Sequence, residues 1–309
     1  MTICNGAQLI VMLLALQSAE IPGDGEFSRI LSEARVASET GNSEKAISLF
    51  QDAIDLYLFE EDVPRRGPLI SRVRLDLVKA LVASRQYDEA LRVTEEISES
   101  DPGPQTLEES LQIRYNIGFS YLTGATRRLF GLEVNAESRG LEVLNNLIKD
   151  YPFMNFTADA IFHCGNWYLK NNQPEEAERY FTRIVREYPE SDWIAAAQLL
   201  AGDSAMAQLK GVDYDLGILI SAERYYRRYL RLYPGQGEAA RARESLEKIE
   251  GFKARRRLQI ADFYIRIEKY ESARIYLEKV LIESSGTPEG NEAQQVLEQI
   301  RSKLEMSNR

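Results

Sequence analysis

Few residues in this chain have types and spacing suited to chemistry. The one histidine, His163, stands beside Cys164 in Ala160-Ile-Phe-His-Cys-Gly-Asn-Trp167. A thiol and an imidazole in contact could act as nucleophile and base. Here the surrounding apolar spacing is helical, and adjacent helical residues do not share a face. Cys164 falls in line with Ile161, Gly165 and Tyr168, which gives it a packing role, and His163 falls at the edge of that stripe. A single histidine excludes His-rich metal sites and most histidine-based triads. The run Gly211-Val-Asp-Tyr-Asp-Leu-Gly217 offers Asp213 and Asp215, short of the ligand count of a calcium loop. No glycine-rich phosphate cradle ending in Lys-Ser or Lys-Thr occurs. The many acidic pairs read as solvated helix faces. The chain is expected to be non-catalytic, with no cofactor and no metal.

Two features could bind a partner instead. Lys253, Arg255, Arg256 and Arg257 form a basic cluster. It reads either as a docking patch for an acidic segment, since the planar guanidinium suits carboxylates, or as a solvated face balancing nearby glutamates. Tyr225, Tyr226, Tyr229 and Tyr233 form an aromatic set. It reads either as packing between helices or as a surface gripping a peptide.

The elements that must position these residues are best seen between Ala158 and Pro189. Ile161, Cys164, Gly165 and Tyr168 make one apolar stripe, and Ala177, Tyr180, Phe181, Ile184 and Tyr188 another. Between them lies the turn Asn171-Asn172-Gln173-Pro174. Two amphipathic helices joined by a tight turn account for the pattern. Gly165 and Ala177 are small where the helices would cross, and Pro189 stops the second helix. This is the unit of a tetratricopeptide repeat, about 34 residues long.

The same small-then-large pairing recurs at Ala46 with Phe50, Ala90 with Thr94, Gly140 with Leu144, Ala222 with Tyr226, and Ala273 with Leu277. Twelve residues after four of the small positions stands a proline: Pro102, Pro152, Pro189 and Pro234. A second helix of fixed length, ended by proline, requires that offset. Ala46, Ala90, Gly140, Ala177, Ala222 and Ala273 are therefore assigned to repeat packing. In the third and fifth units the small residue arrives late, so their first helices are longer or carry insertions around 123–137 and 210–217. Residues 59–70 hold two prolines and are the best hinge between the first two units. A last helix from Glu292 to Leu304, with Val296, Leu297 and Ile300 inward, closes the stack.

Composition agrees with a large folded core. Hydrophobic residues make up 44% of 309, and net charge is −10. Residues 20–150 carry 24 acidic and 15 basic side chains, and residues 151–309 carry 24 and 23. Nucleic-acid binding needs a basic field and is not expected. Cys4 and Cys164 make no disulfide framework. Residues 1–19 are uncharged and contain the apolar run Leu9 to Leu16, the length of a signal-peptide core rather than a membrane span. Cleavage is expected near Ala19, although the segment lacks the usual basic start; the alternative is an apolar helix packing on the first repeat. A lipid-anchored protein would need a cysteine just after the run, and Cys4 precedes it. Residues 20–26 have turn chemistry and read as a linker.

The second half carries aromatic–proline helix ends at Tyr151-Pro152 and Tyr188-Pro-Glu-Ser191, the Gly211-Val-Asp213 insertion, and Ala222-Glu-Arg-Tyr-Tyr-Arg-Arg-Tyr-Leu-Arg-Leu-Tyr-Pro234. Ala254-Arg-Arg-Arg-Leu-Gln-Ile-Ala-Asp-Phe-Tyr264 and Tyr270-Glu-Ser-Ala-Arg-Ile-Tyr-Leu-Glu-Lys-Val280 follow. With these residues in this order, the stretch from roughly Gly140 to Leu304 resembles the BamD family of outer-membrane lipoproteins. The resemblance implies a periplasmic scaffold at the outer-membrane periphery that helps fold and insert β-barrel proteins. Its partners would be barrel-assembly components or unfolded barrel segments. The alternative is a generic tetratricopeptide adaptor or co-chaperone, cytoplasmic or periplasmic.

The expected fold is all-α: a right-handed superhelical solenoid of about six helical hairpins plus a closing helix. The expected organisation is a leader at 1–19, a linker at 20–26, repeats at 27–135, BamD-like repeats at 136–304 and a tail at 305–309.

Overall fold

The computed structural model describes residues 25–59, 67–129, 132–209, 216–235 and 237–307. The expected leader, the linker up to residue 24, residues 60–66 of the expected hinge, residues 210–215 of the loop and residues 308–309 of the tail lie outside them. Among the described residues there are thirteen helices and one pair of strands. They are α1 (Gly25–Glu39), α2 (Ser43–Phe59), α3 (Pro68–Ala83), α4 (Tyr87–Ser98), α5 (Pro104–Leu122), β1 (Thr126–Leu129) and β2 (Leu132–Asn135). Then follow α6 (Glu137–Asp150), α7 (Thr157–Lys170), α8 (Pro174–Glu187), α9 (Ile194–Ala207) and α10 (Leu216–Leu232). The last are α11 (Ala239–Arg266), α12 (Tyr270–Glu283) and α13 (Pro288–Ser307).

Taken in pairs, α1 to α12 are six helical hairpins, and α13 packs on α11 and α12. The chain is thus an all-α helical-repeat protein. It forms two compact units, Met1–Phe156 and Thr157–Arg309. The division by family resemblance, at 135/136, assigns α6 to the second group; by packing, α6 belongs with α5 in the first unit.

Each tight hairpin is built the same way. The first helix ends on a left-handed residue: Gly41, Arg85, Asn172 or Glu268, with φ of 77°, 57°, 55° and 56°; α5, which leads into the inserted strand pair, ends likewise on Gly124 at 110°. The next N–H reaches back to a carbonyl five residues earlier, as in Asn42 to Ala37 (2.9 Å), Gln173 to Tyr168 (2.9 Å) and Lys269 to Tyr264 (2.8 Å). This Schellman closure satisfies carbonyls that would otherwise be orphaned. The closing residue then starts the second helix: its carbonyl accepts from Ala46, Ala90, Ala177 and Ala273 at 3.0–3.1 Å.

Ala46, Ala90, Ala177 and Ala273 therefore lie one turn past the bend, whereas Ala222 lies six residues into α10. All six small residues are buried. At Gly140 an added Cβ would stand 2.5 Å from the Leu122 nitrogen and 2.6 Å from the Gly118 oxygen. The large residue four further on sits over a glycine of the first helix: Leu144 on Gly118, Phe181 on Gly165 and Tyr226 on Gly202. Aromatic–proline ends stop three second helices. Tyr151 and Tyr188, each followed by proline, leave the helical region at φ −132° and −129°, still donating to Leu147 and Ile184 (both 2.9 Å).

Two features go beyond the hairpin plan. Between α5 and α6 the chain forms an antiparallel strand pair, Thr126 opposite Asn135 through Leu129 opposite Leu132. This occupies the insertion expected around 123–137 and is a departure from an all-helical chain. The 28-residue α11 serves two cores. Its Ala239, Ala242 and Ile249 pack with Leu219, Tyr226 and Tyr229. Its Ala254, Leu258 and Ala261 pack with Leu277, Val280 and Ile300. Each buried leucine, isoleucine or valine among them contributes roughly 1.5–3 kcal/mol.

Candidate protein-binding surface

The basic cluster of α11 lies among carboxylates. Lys253 Nζ donates to Glu223 of α10 (2.6 Å) and to Glu250 (3.2 Å), with a side chain only 16% exposed. Arg257 pairs with Glu283 of α12 (2.5 Å), and Arg255 with Glu289 of α13 (2.8 Å). Arg256 is half-buried and also engaged. Three of the four residues thus tie α11 to three neighbouring helices. This geometry favours the charge-balancing reading, and a docking role would have to break these pairs.

The tyrosines divide. Tyr226 and Tyr229 are each 1% exposed and belong to the core. Tyr226 donates from its hydroxyl to Asp203 (2.7 Å), and Tyr225 to Glu178 (2.9 Å). Burial, then the Glu178 carboxylate, pushes the Tyr225 phenol up to about 12. Glu178 also accepts from Gln208 (2.5 Å), so one carboxylate joins α8 to the helix pair that follows.

What sequence reading passed over lies on the other side of α10. A groove of about 1490 Å³ runs between α8 and α10, reaching Leu246 of α11. Thr182, Val185 and Arg186 line it from α8; Ile220, Arg224, Arg227, Arg228 and Arg231 are among its α10 lining. Five arginines and one carboxylate, Glu223, line it, and just outside the lining Arg186 pairs with Glu187 (2.5 Å) and Arg227 reaches Glu250 (3.8 Å). Burial alone would raise the Glu223 carboxyl; hydrogen bonds from Lys253 and Arg227 hold it below the usual carboxylate range. Arg227 is bound to Glu223 (2.7 Å), and Arg224 lies over the Tyr225 ring at 5.5 Å. Arg228 and Arg231 are exposed, with no ion pair among the described residues. The signal was present in the sequence: positions 224, 227, 228 and 231 share one helical stripe, opposite Ala222, Tyr226 and Tyr229.

The candidate chemical residues are placed for packing. Cys164 is fully buried, and burial pushes its thiol up to about 12. A thiol held neutral in this way is a poor nucleophile. His163 lies edge-on to Trp193 (5.9 Å), and burial lowers its basicity. Among the described residues no cluster of His, Cys, Asp and Glu could hold a metal ion. Asp213 and Asp215 lie outside them. No described helix is long and apolar enough to cross a membrane.

Comparison with known proteins finds likenesses at low identity. A tetratricopeptide-repeat protein from Cytophaga hutchinsonii, solved as its C-terminal part, is 14% identical and covers 93% of each chain, with a TM-score of 0.41. MamA is 14% identical over 66% of this chain and 90% of its own, with a TM-score of 0.37. PilW, a type IV pilus biogenesis factor, is 14% identical over 89% of this chain and 100% of its own, with a TM-score of 0.30. No curated protein matches the chain. The family YfiO, described as outer membrane lipoprotein, matches residues 133–309, a span that takes in α6 to α13 and both walls of the groove. A tetratricopeptide-repeat chain whose second half is BamD-like, it belongs to the YfiO family of outer membrane lipoproteins.

Proposed function

We propose that this chain is a non-catalytic, protein-binding scaffold of the cell envelope that assists assembly or insertion of outer-membrane β-barrel proteins. Family membership over residues 133–309 is the observation that carries this reading. The architecture suits it: stacked hairpins present long helix faces at fixed spacing, and such surfaces hold extended or helical segments of other proteins. The chain sits at the periplasmic periphery of the outer membrane, and its partners are barrel-assembly components or unfolded barrel segments.

Depletion tests the reading. As the protein falls, folded outer-membrane barrels should fall with it, read by the gel shift between folded and heat-unfolded forms. Unfolded barrel chains should accumulate in the periplasm. Barrel levels that stay constant through full depletion would rule the assembly role out.

A further inference from the structure

We infer that the groove between α8 and α10 takes an acidic, amphipathic helical segment of a partner protein. The inference rests on the protein-binding reading of the second unit and names the chemistry of what is bound. Charge is the first argument. In a chain of net charge −10, this surface gathers five arginines and one carboxylate in its lining, and Arg224, Arg228 and Arg231 remain cationic beside the paired Arg186 and Arg227. That carboxylate, Glu223, is already engaged by Lys253 and Arg227. Arg228 and Arg231 stand exposed with their forks available, and two such forks along one rim suit carboxylates spaced one turn apart.

Apolar surface is the second argument. Ile220 is 57% exposed and Leu232 51%, both on the groove, and Val185 is half-buried beside them. Apolar side chains interspersed with arginines match a helix that is leucine-like on one stripe and acidic on its flanks. Shape is the third. A helix about 10 Å across would occupy 1490 Å³ over roughly three to four turns, a shorter segment than the 17-residue α10 that lines it. A concave surface admits a rod, whereas a flat anionic bilayer would touch only its rims.

The test uses the whole protein and two synthetic peptides. One is an amphipathic helix with leucines at i, i+3, i+4 and i+7 and glutamates on its flanks; the other replaces every glutamate with lysine. Fluorescence anisotropy should show binding of the glutamate peptide, weakening as salt rises, and none of the lysine peptide. Arg228→Glu with Arg231→Glu should reduce that affinity about tenfold or more. Both residues are exposed, so an unchanged thermal melt should accompany the loss. Undiminished binding in the double variant would overturn the inference. So would binding of the wild-type protein to phosphatidylglycerol vesicles with no binding to the glutamate peptide. The two readings fail separately: envelope partners still captured by the double variant would refute the groove and leave the scaffold reading standing. Constant barrel levels on depletion would refute the assembly role whatever the peptide does.

Discussion

At Gly140 the helix backbones leave no space for a methyl group, because the nearest atoms, the Leu122 nitrogen and Gly118 oxygen, are themselves main chain and cannot step aside. Gly140→Ala should therefore cost roughly 1–3 kcal/mol through overpacking, seen as a lower melting midpoint. Gly251 is the control. It lies inside α11 with nothing within 4 Å of an added Cβ. Gly251→Ala should raise stability by about 0.5–1 kcal/mol through helix propensity alone. Equal effects at the two positions would contradict the crossing geometry. Arg85 and Glu268 hold left-handed turns that glycine fills at Gly41. Arg85→Gly should stabilise by roughly 1 kcal/mol, since a side chain pays a steric cost there. A denaturant midpoint that falls would refute the strained turn. Much of this scale was legible. The positions of the small residues follow from sequence spacing; that Gly140 must lack even a Cβ does not, because only coordinates show backbone on both sides.

The hairpin is the unit at the next scale. Ala177 packs one turn past its bend, fully buried. Ala177→Leu should loosen the second unit by about 1–3 kcal/mol, and a melt matching the parent would refute its place at the crossing. Between hairpins, ionic ties add to the apolar packing. Hydrogen bonds from Arg255 hold the Glu289 carboxyl below its usual range, and bonds from Lys253 and Arg227 do so for Glu223 against the cost of burial. In the unfolded chain these groups titrate near 4.5. As pH falls through that value the unfolded chain takes up protons first. The stability these pairs contribute is complete above 4.5 and is lost progressively as pH drops toward the folded values. The denaturant midpoint should fall accordingly, and less steeply in Glu223→Gln with Glu289→Gln. An identical pH slope in that variant would refute the tie.

These ties were not legible in advance. Lys253, Arg255 and Arg257 stand out as a basic run, but their partners Glu223, Glu289 and Glu283 lie some thirty residues away in either direction. Only the packing decides which glutamate each one meets. The strand pair escaped for a related reason. Two four-residue strands are too short for alternation to separate them from a loop.

For the molecule as a whole, six hairpins and a closing helix follow from a repeating pattern of small residues, large residues and prolines, because each hairpin must bury one face on its neighbour. What is bound follows from no such repeat. The arginines of α10 share a stretch with its buried tyrosines, and one helix displays core on one side and a cationic groove on the other. The claim on which the account turns is that this scaffold works in the envelope on barrel assembly. Chemical cross-linking and affinity capture from intact envelopes, with identification of the captured proteins, tests it most directly. The account predicts barrel-assembly components or unfolded barrel chains joined to this protein. Recovery of the protein with the cytoplasmic fraction, joined to cytoplasmic partners alone, would contradict it.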